Sequence, residues 1–264
     1  MAHWGITTDL MFNRAAGEVR IEGRYTVIRT PAAPDYYFGN MLVLGDAPHG
    51  DGLPTLEADF ARLIGTPPVI QHRTFLWPVN GEPAFDPQPF TGAGYAYAES
   101  TVLLASPRDL LEPDAINTSI SIRPYRDLRD WDDWQALFLA ENAGMFPGET
   151  YLTFMLGQQA MYRDLIEAGR GDWWGAFIGE EQVANLGLFF EERTGRFQSV
   201  ITAASHRNQR ICKTLVHHVA REGLKRADRL VMVADEHYHA ARVYESLGFR
   251  RQERMASLCW YPSP

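Results

Sequence analysis

The stretch Phe197-Gln-Ser-Val-Ile-Thr-Ala-Ala-Ser-His-Arg207-Asn-Gln-Arg210-Ile-Cys212-Lys-Thr-Leu-Val216 decides how this chain is read. Its first part, 197–203, has the pattern of a strand. A short basic turn follows and opens directly onto an amphipathic helix over 211–225. Ile211, Leu215 and Val219 share one stripe of that helix with Cys212 and Val216. The first turn of a helix carries unpaired N–H groups and a partial positive charge, so a phosphate fits there. Arg207, Arg210 and Lys213 add formal charge at the same place, and the stretch describes an anion site. The competing reading is solvated surface charge, which opposes the helix dipole when no anion is present.

Working outward, the second half alternates helix and strand. Strands are expected at 119–123, 173–178, 183–190 and 230–234, with a last one at 255–261. Helices are expected at 129–141, 151–167 and 240–247, the last stopped by Gly248 in a C-cap position. The link Glu192-Arg-Thr-Gly195-Arg reads as a hairpin turn. The first half is richer in Pro and Gly, with expected strands at 24–29, 40–44, 69–76 and 95–104 and one short helix at 56–64. Two prolines and several turn formers between Ser106 and Thr118 read as a linker. The expected fold class is α/β with a mixed sheet, in two domains at 1–112 and 118–264.

Composition removes several classes of function. The 264 residues carry a formal net charge of -8, which argues against a nucleic-acid partner and weakly favours a neutral or cationic one. No apolar run approaches the ~20 residues of a membrane span. The N-terminus lacks a basic start followed by an apolar stretch, so no signal peptide is expected. Two cysteines, Cys212 and Cys259, make no disulfide framework, and a cytoplasmic location is the expectation. Asp235, His237 and His239 fall short of the four spaced ligands of a structural metal site, so no metal is expected.

About thirty residues beyond the basic turn the chain reads His237-Tyr-His-Ala240-Ala-Arg-Val-Tyr244-Glu-Ser-Leu-Gly248-Phe249. The two stretches together resemble the GNAT superfamily of acyl-CoA N-acyltransferases. The first resembles its acetyl-CoA loop, Arg/Gln-x-x-Gly-x-Gly/Ala, with Arg207 at the first position, Arg210 at the first glycine and Cys212 at the second. The second resembles the final-helix signature Asn-x-x-Ala-x-x-Leu-Tyr-Glu-x-x-Gly-Phe, with His237 where Asn is usual. The resemblance covers about residues 118–264 and implies a GNAT fold there. It implies a truncated, degenerate GNAT-like mixed sheet, without a cofactor loop, in the first half, as in tandem members.

The roles follow from the resemblance. An amine attacks the thioester of acetyl-CoA directly, with no acyl-enzyme. Tyr244 would protonate the leaving thiolate, a task a phenol suits. The main chain of Val200, Ile201 and Thr202 would hold the pantetheine arm and carbonyl. Arg207, Asn208, Gln209, Arg210, Ile211, Cys212 and Lys213 would hold the pyrophosphate, and His237 would touch the coenzyme. Glu191 is the weakly favoured base; Glu192, Glu141 and Glu149 are others, and each also reads as a surface carboxylate. Trp131, Trp134, Trp173 and Trp174 read as core and interface aromatics. The expected acceptor is a small-molecule or peptide amine, on a monomer or homodimer. The alternative is a degenerate GNAT that senses acyl-CoA or scaffolds a partner without turnover.

Overall fold

Apolar periodicity sets most of the elements. A computed structural model describes residues 3–80, 85–142, 148–236 and 240–262. In chain order the elements are α1 (Trp4–Ala16), β1 (Glu18–Glu22), β2 (Tyr25–Arg29), β3 (Met41–Val43), α2 (Leu53–Leu63), β4 (Arg73–Pro78), α3 (Gln88–Thr91) and β5 (Ala96–Ala105). There follow β6 (Ser121–Pro124), α4 (Leu128–Asn142), α5 (Gly148–Glu167), β7 (Gly171–Ile178), β8 (Glu181–Glu191), β9 (Thr194–Thr202), α6 (Ile211–Gly223), β10 (Arg229–Asp235), α7 (Ala240–Glu245) and β11 (Arg250–Trp260). Helix α1 and strand β1 are not anticipated from sequence. Helix α1 has two threonines and a glycine among its residues and no clean apolar stripe, and β1 is largely exposed. No described helix is long and apolar enough to cross a membrane.

The chain divides into two units that do not coincide with halves at 1–112 and 118–264. One unit holds residues 1–102, 235–237 and 253–264; the other holds 103–234 and 238–252. The first unit recovers the end of the chain because β11 pairs antiparallel with β4, from Met255↔Pro78 to Trp260↔Arg73. Ala256 and Leu258 from this strand are buried in the same cluster as Phe60, Phe75 and Trp77. The segment read as a linker is fastened to the second unit. Lys213 Nζ donates to Asp114 at 2.6 Å, and the Asn117 N–H donates to Thr214 Oγ1 at 2.8 Å.

In the second unit the strand order is β10-β9-β8-β7-β6. Strand β8 is buried from Gln182 to Phe190, as expected of a strand covered on both faces. Alternation along it separates two packed layers. Leu186, Leu188 and Phe190 join Leu215, Val216 and Val219 of α6 in one cluster. Phe189, on the other face, meets Tyr162 of α5, whose ring lies 4.6 Å from Trp173. Trp131 and Trp134 of α4 close on Trp173 at 5.9 and 5.7 Å, so all of Trp131, Trp134 and Trp173 are core residues. Gly195 is not in the turn. The hairpin tip is Glu192-Arg193, and a Cβ on Gly195 would meet Leu230 Cδ2 at 2.6 Å. Gly248 is required at its position: its φ is +94° and a Cβ would lie 1.8 Å from the Asp109 carbonyl oxygen.

The first unit has the order β1-β2-β3-β4-β11-β5. It contains a parallel crossover, β3–α2–β4, with Leu42↔Phe75 and Val43↔Leu76 in register. The second unit has the same device in β9–α6–β10. The repeat is topological and leaves no periodicity in the sequence.

Leu258 is fully buried in the cluster of the first unit. Leu258→Ala is expected to lower stability by roughly 2–5 kcal/mol, and removal of residues 253–264 should unfold the first unit. Urea denaturation followed by tryptophan fluorescence, with Trp77 reporting on that cluster, checks both.

Candidate active site

Strand β9 is irregular where the function would need it to be. It pairs with β8 at Gly187↔Gln198 and again at Asn185↔Ile201, so Ser199 and Val200 together face Leu186 alone. The extra residue is a β-bulge, and Ser199 has φ +47°. On its other edge β9 pairs in parallel with β10 at only three positions, Thr194↔Arg229, Gly195↔Leu230 and Arg196↔Val231. Both strands continue past the end of that ladder. The main chain of Val200, Ile201 and Thr202 therefore has no ladder partner on the β10 side.

Strand β9 delivers the chain into the turn 203–210. Asn208 and Arg210 take φ +62° and +61°, both left-handed. Asn tolerates this conformation; Arg210 stands at the motif's glycine position and adopts the backbone that glycine favours. Helix α6 starts at the next residue, and no side chain caps it. The N–H groups of its first turn thus face the loop without a capping side-chain acceptor.

The three cations differ in what surrounds them. Arg207 forms an ion pair with Glu141 near the end of α4, and the same carboxylate accepts the Ala204 N–H at 3.0 Å. The Nε of Arg207 also donates to the Thr202 carbonyl at 3.3 Å. Lys213 is paired with Asp114. Arg210 is exposed and, among the described residues, has no acidic partner. Asn208 and Gln209 are exposed, and the Gln209 carbonyl accepts from Asn117 Nδ2 at 2.9 Å. The Ile211 side chain is in the core, leaving only its main chain to the loop. Burial pushes the Cys212 thiol up to about 11, which makes it a poor nucleophile.

Two sequence candidates fall elsewhere. Glu191 ends β8 at the hairpin, opposite Thr194, and contacts Arg170 at 3.7 Å. The loop lies at the other end of β9, about 25 Å away at ~3.3 Å per residue, so the antiparallel turn separates Glu191 from it. Tyr244 is on α7 as expected, but its ring is buried in the main core cluster, 6.5 Å from the ring of Phe249. His237 lies outside the described residues, as does the side chain of Glu149.

Sequence reasoning offered Glu141 as a candidate base and missed its contact with the loop. That contact spans more than sixty residues of chain and has no local signal. It also missed the polar pair beside the bulge, where Gln198 Nε2 donates to Tyr162 Oη at 3.1 Å.

Residues 169–251 match the sequence model of the acetyltransferase (GNAT) domain. No curated protein matches the chain. Among solved structures, a conserved protein of unknown function from Staphylococcus epidermidis is similar, with a TM-score of 0.73 at 15% identity over 94% of this chain and 95% of that one. A GCN5-related N-acetyltransferase from Kribbella flavida gives 0.64 at 13% identity, over 98% and 94%. A tandem GNAT protein of the clavulanic acid biosynthesis pathway gives 0.54 at 14% identity, over 81% and 71%. The bulged strand, the short parallel ladder and the uncapped helix start all lie inside the segment 169–251 that matches the GNAT domain model, and the chain shares its fold with solved GNAT structures, a tandem GNAT protein among them.

Proposed function

We propose that the second unit moves an acetyl group from acetyl-CoA to a primary amine by direct attack. The observation that carries this reading is the continuous path from unladdered strand to uncapped helix. Main-chain groups of 200–202 are open on the β10 side and suit the amides of a pantetheine arm. The first turn of α6 follows at once and suits a pyrophosphate. The left-handed Arg210 keeps the turn that a glycine would give, and its exposed guanidinium adds a charge there.

In the reaction the amine nitrogen attacks the thioester carbonyl carbon, the C–S bond breaks and the nitrogen loses a proton. The thiolate takes a proton, and Tyr244 is the proposed donor. Glu191, at the hairpin end of β8, lies too far from the bulge to serve as base there, and the proton lost by the amine passes to solvent water. The acceptor is a small-molecule or peptide amine, and the acidic net charge favours a cationic one.

A second reading has an observation of its own. Glu141 and Asp114 already neutralise Arg207 and Lys213, and the Tyr244 ring is packed in the core. A protein that binds acyl-CoA weakly and turns nothing over would look the same.

Calorimetric titration with acetyl-CoA separates these readings. Saturable micromolar binding that an Arg207→Ala/Arg210→Ala variant loses, with turnover of an amine panel that falls at least about 10²-fold in Tyr244→Phe, is the expected result. Binding with no turnover of any amine selects the second reading; no binding at millimolar acetyl-CoA rejects both. At position 210 the backbone itself can be probed. Arg210→Gly relieves about 1 kcal/mol of left-handed strain and loses about 0.5–1 kcal/mol to chain entropy, so its stability should stay near wild type. Arg210→Val puts a β-branched residue in a left-handed conformation. It should lower the urea midpoint and weaken acetyl-CoA binding. Cys212 should react with a disulfide reagent at pH 8 about 100-fold more slowly than a free thiol, given its thiolate fraction.

A further inference from the structure

The first unit contains a cavity of about 330 Å³ between the end of β2 and the turn that follows α2. That volume is at the lower end of the range for small-molecule sites. Pro31, Pro34, Ile64, Val69 and Ile70 give it apolar walls, and Arg29 supplies a cation. Its frame is fixed by hydrogen bonds. Asn40 Oδ1 accepts the Thr30 N–H at 2.9 Å, and its Nδ2 donates to the carbonyls of Ala33 and Tyr36 at 2.8 and 3.1 Å. Those bonds hold the turn that carries both prolines, and they leave the Asn40 amide no free N–H to donate to a ligand.

Arg29 is unlike its neighbours in this unit. Arg20, Arg24, Arg62, Arg73 and Arg254 each face a carboxylate. Arg29 is half-buried and, among the described residues, its side chain makes neither an ion pair nor a hydrogen bond; Glu18, opposite it in the β1–β2 ladder, contacts Arg20 instead. A guanidinium partly removed from water beside apolar walls is costly until an anion meets it.

From this geometry we infer a second ligand site, for a small monocarboxylate with an apolar body. The planar guanidinium matches a carboxylate in a two-bond fork. The body fills the space between the prolines and the isoleucines. A phosphate dianion fits less well, because the lining offers one cation and the second charge would be buried against hydrocarbon. The site belongs to the first unit and is independent of the acyl-CoA reading.

The test uses the full chain with methyl-labelled isoleucine. Isovalerate and phenylacetate are titrated, with their amides as neutral controls and inorganic phosphate as a third arm. The expected result is saturable shifts of the Ile64 and Ile70 methyls for both acids. Binding should weaken at least about tenfold for the amides and in Arg29→Gln, the cost of losing a charge-assisted pair. Val69→Trp, at a side chain 65% exposed on the rim, should block the site without unfolding the protein, and a thermal melt confirms that it has. Absent shifts overturn the inference, as do equal affinity for acids and amides, tighter binding of phosphate than of either acid, or binding unchanged in both variants.

Discussion

The site depends on the ladder between β9 and β10 ending early. A parallel pair normally continues as long as both strands do, because each further residue adds main-chain hydrogen bonds. Here three pairs form, and the bulge at Ser199 and Val200 then re-aims β9. The cost of leaving main-chain groups unladdered inside a fold is high. It is borne because β8 and α6 hold β9 in place through a dense apolar cluster. The opening is thus a property of a rigid scaffold, and the same strand that opens it hands the chain to the start of α6.

Charge at that helix start is more balanced than the row of basic residues implies. Glu141 reaches the loop from α4 and Asp114 reaches it from the segment ahead of β6. Each pair is partly exposed, where an ion pair contributes little to stability. Their consequence is electrostatic: an incoming phosphate would meet one guanidinium, that of Arg210, without an acidic partner among the described residues, and would compete with carboxylates for the other two cations. Affinity for a coenzyme would rest on main-chain geometry more than on formal charge.

The first unit repeats the parallel crossover without the features of an anion site. Its loop between β3 and α2 carries Asp46 and Asp51 and no Arg or Lys. Helix α2 also lacks a side-chain cap, yet two acids beside a helix start repel the anion that the dipole would attract. The unit also depends on the far end of the chain, since β11 supplies buried residues to its core.

Much of this was legible locally. The stripe of Ile211, Leu215 and Val219, the apolar strands β7 to β10, and Gly248 at its stop follow from 3.6- and 2-residue periods and from backbone sterics. Those signals, with the loop and final-helix motifs, determined the fold of the second half and the position of the candidate loop. Tertiary structure alone decided the rest. It carried β11 back to β4, put Glu191 at the tip of its hairpin, far along the strand from the loop, buried the Tyr244 ring, and brought Glu141 onto Arg207. Each of these joins residues far apart in the chain or depends on which way a strand turns. Sequence periodicity records which face of an element is apolar; it carries no information on which distant element will cover that face.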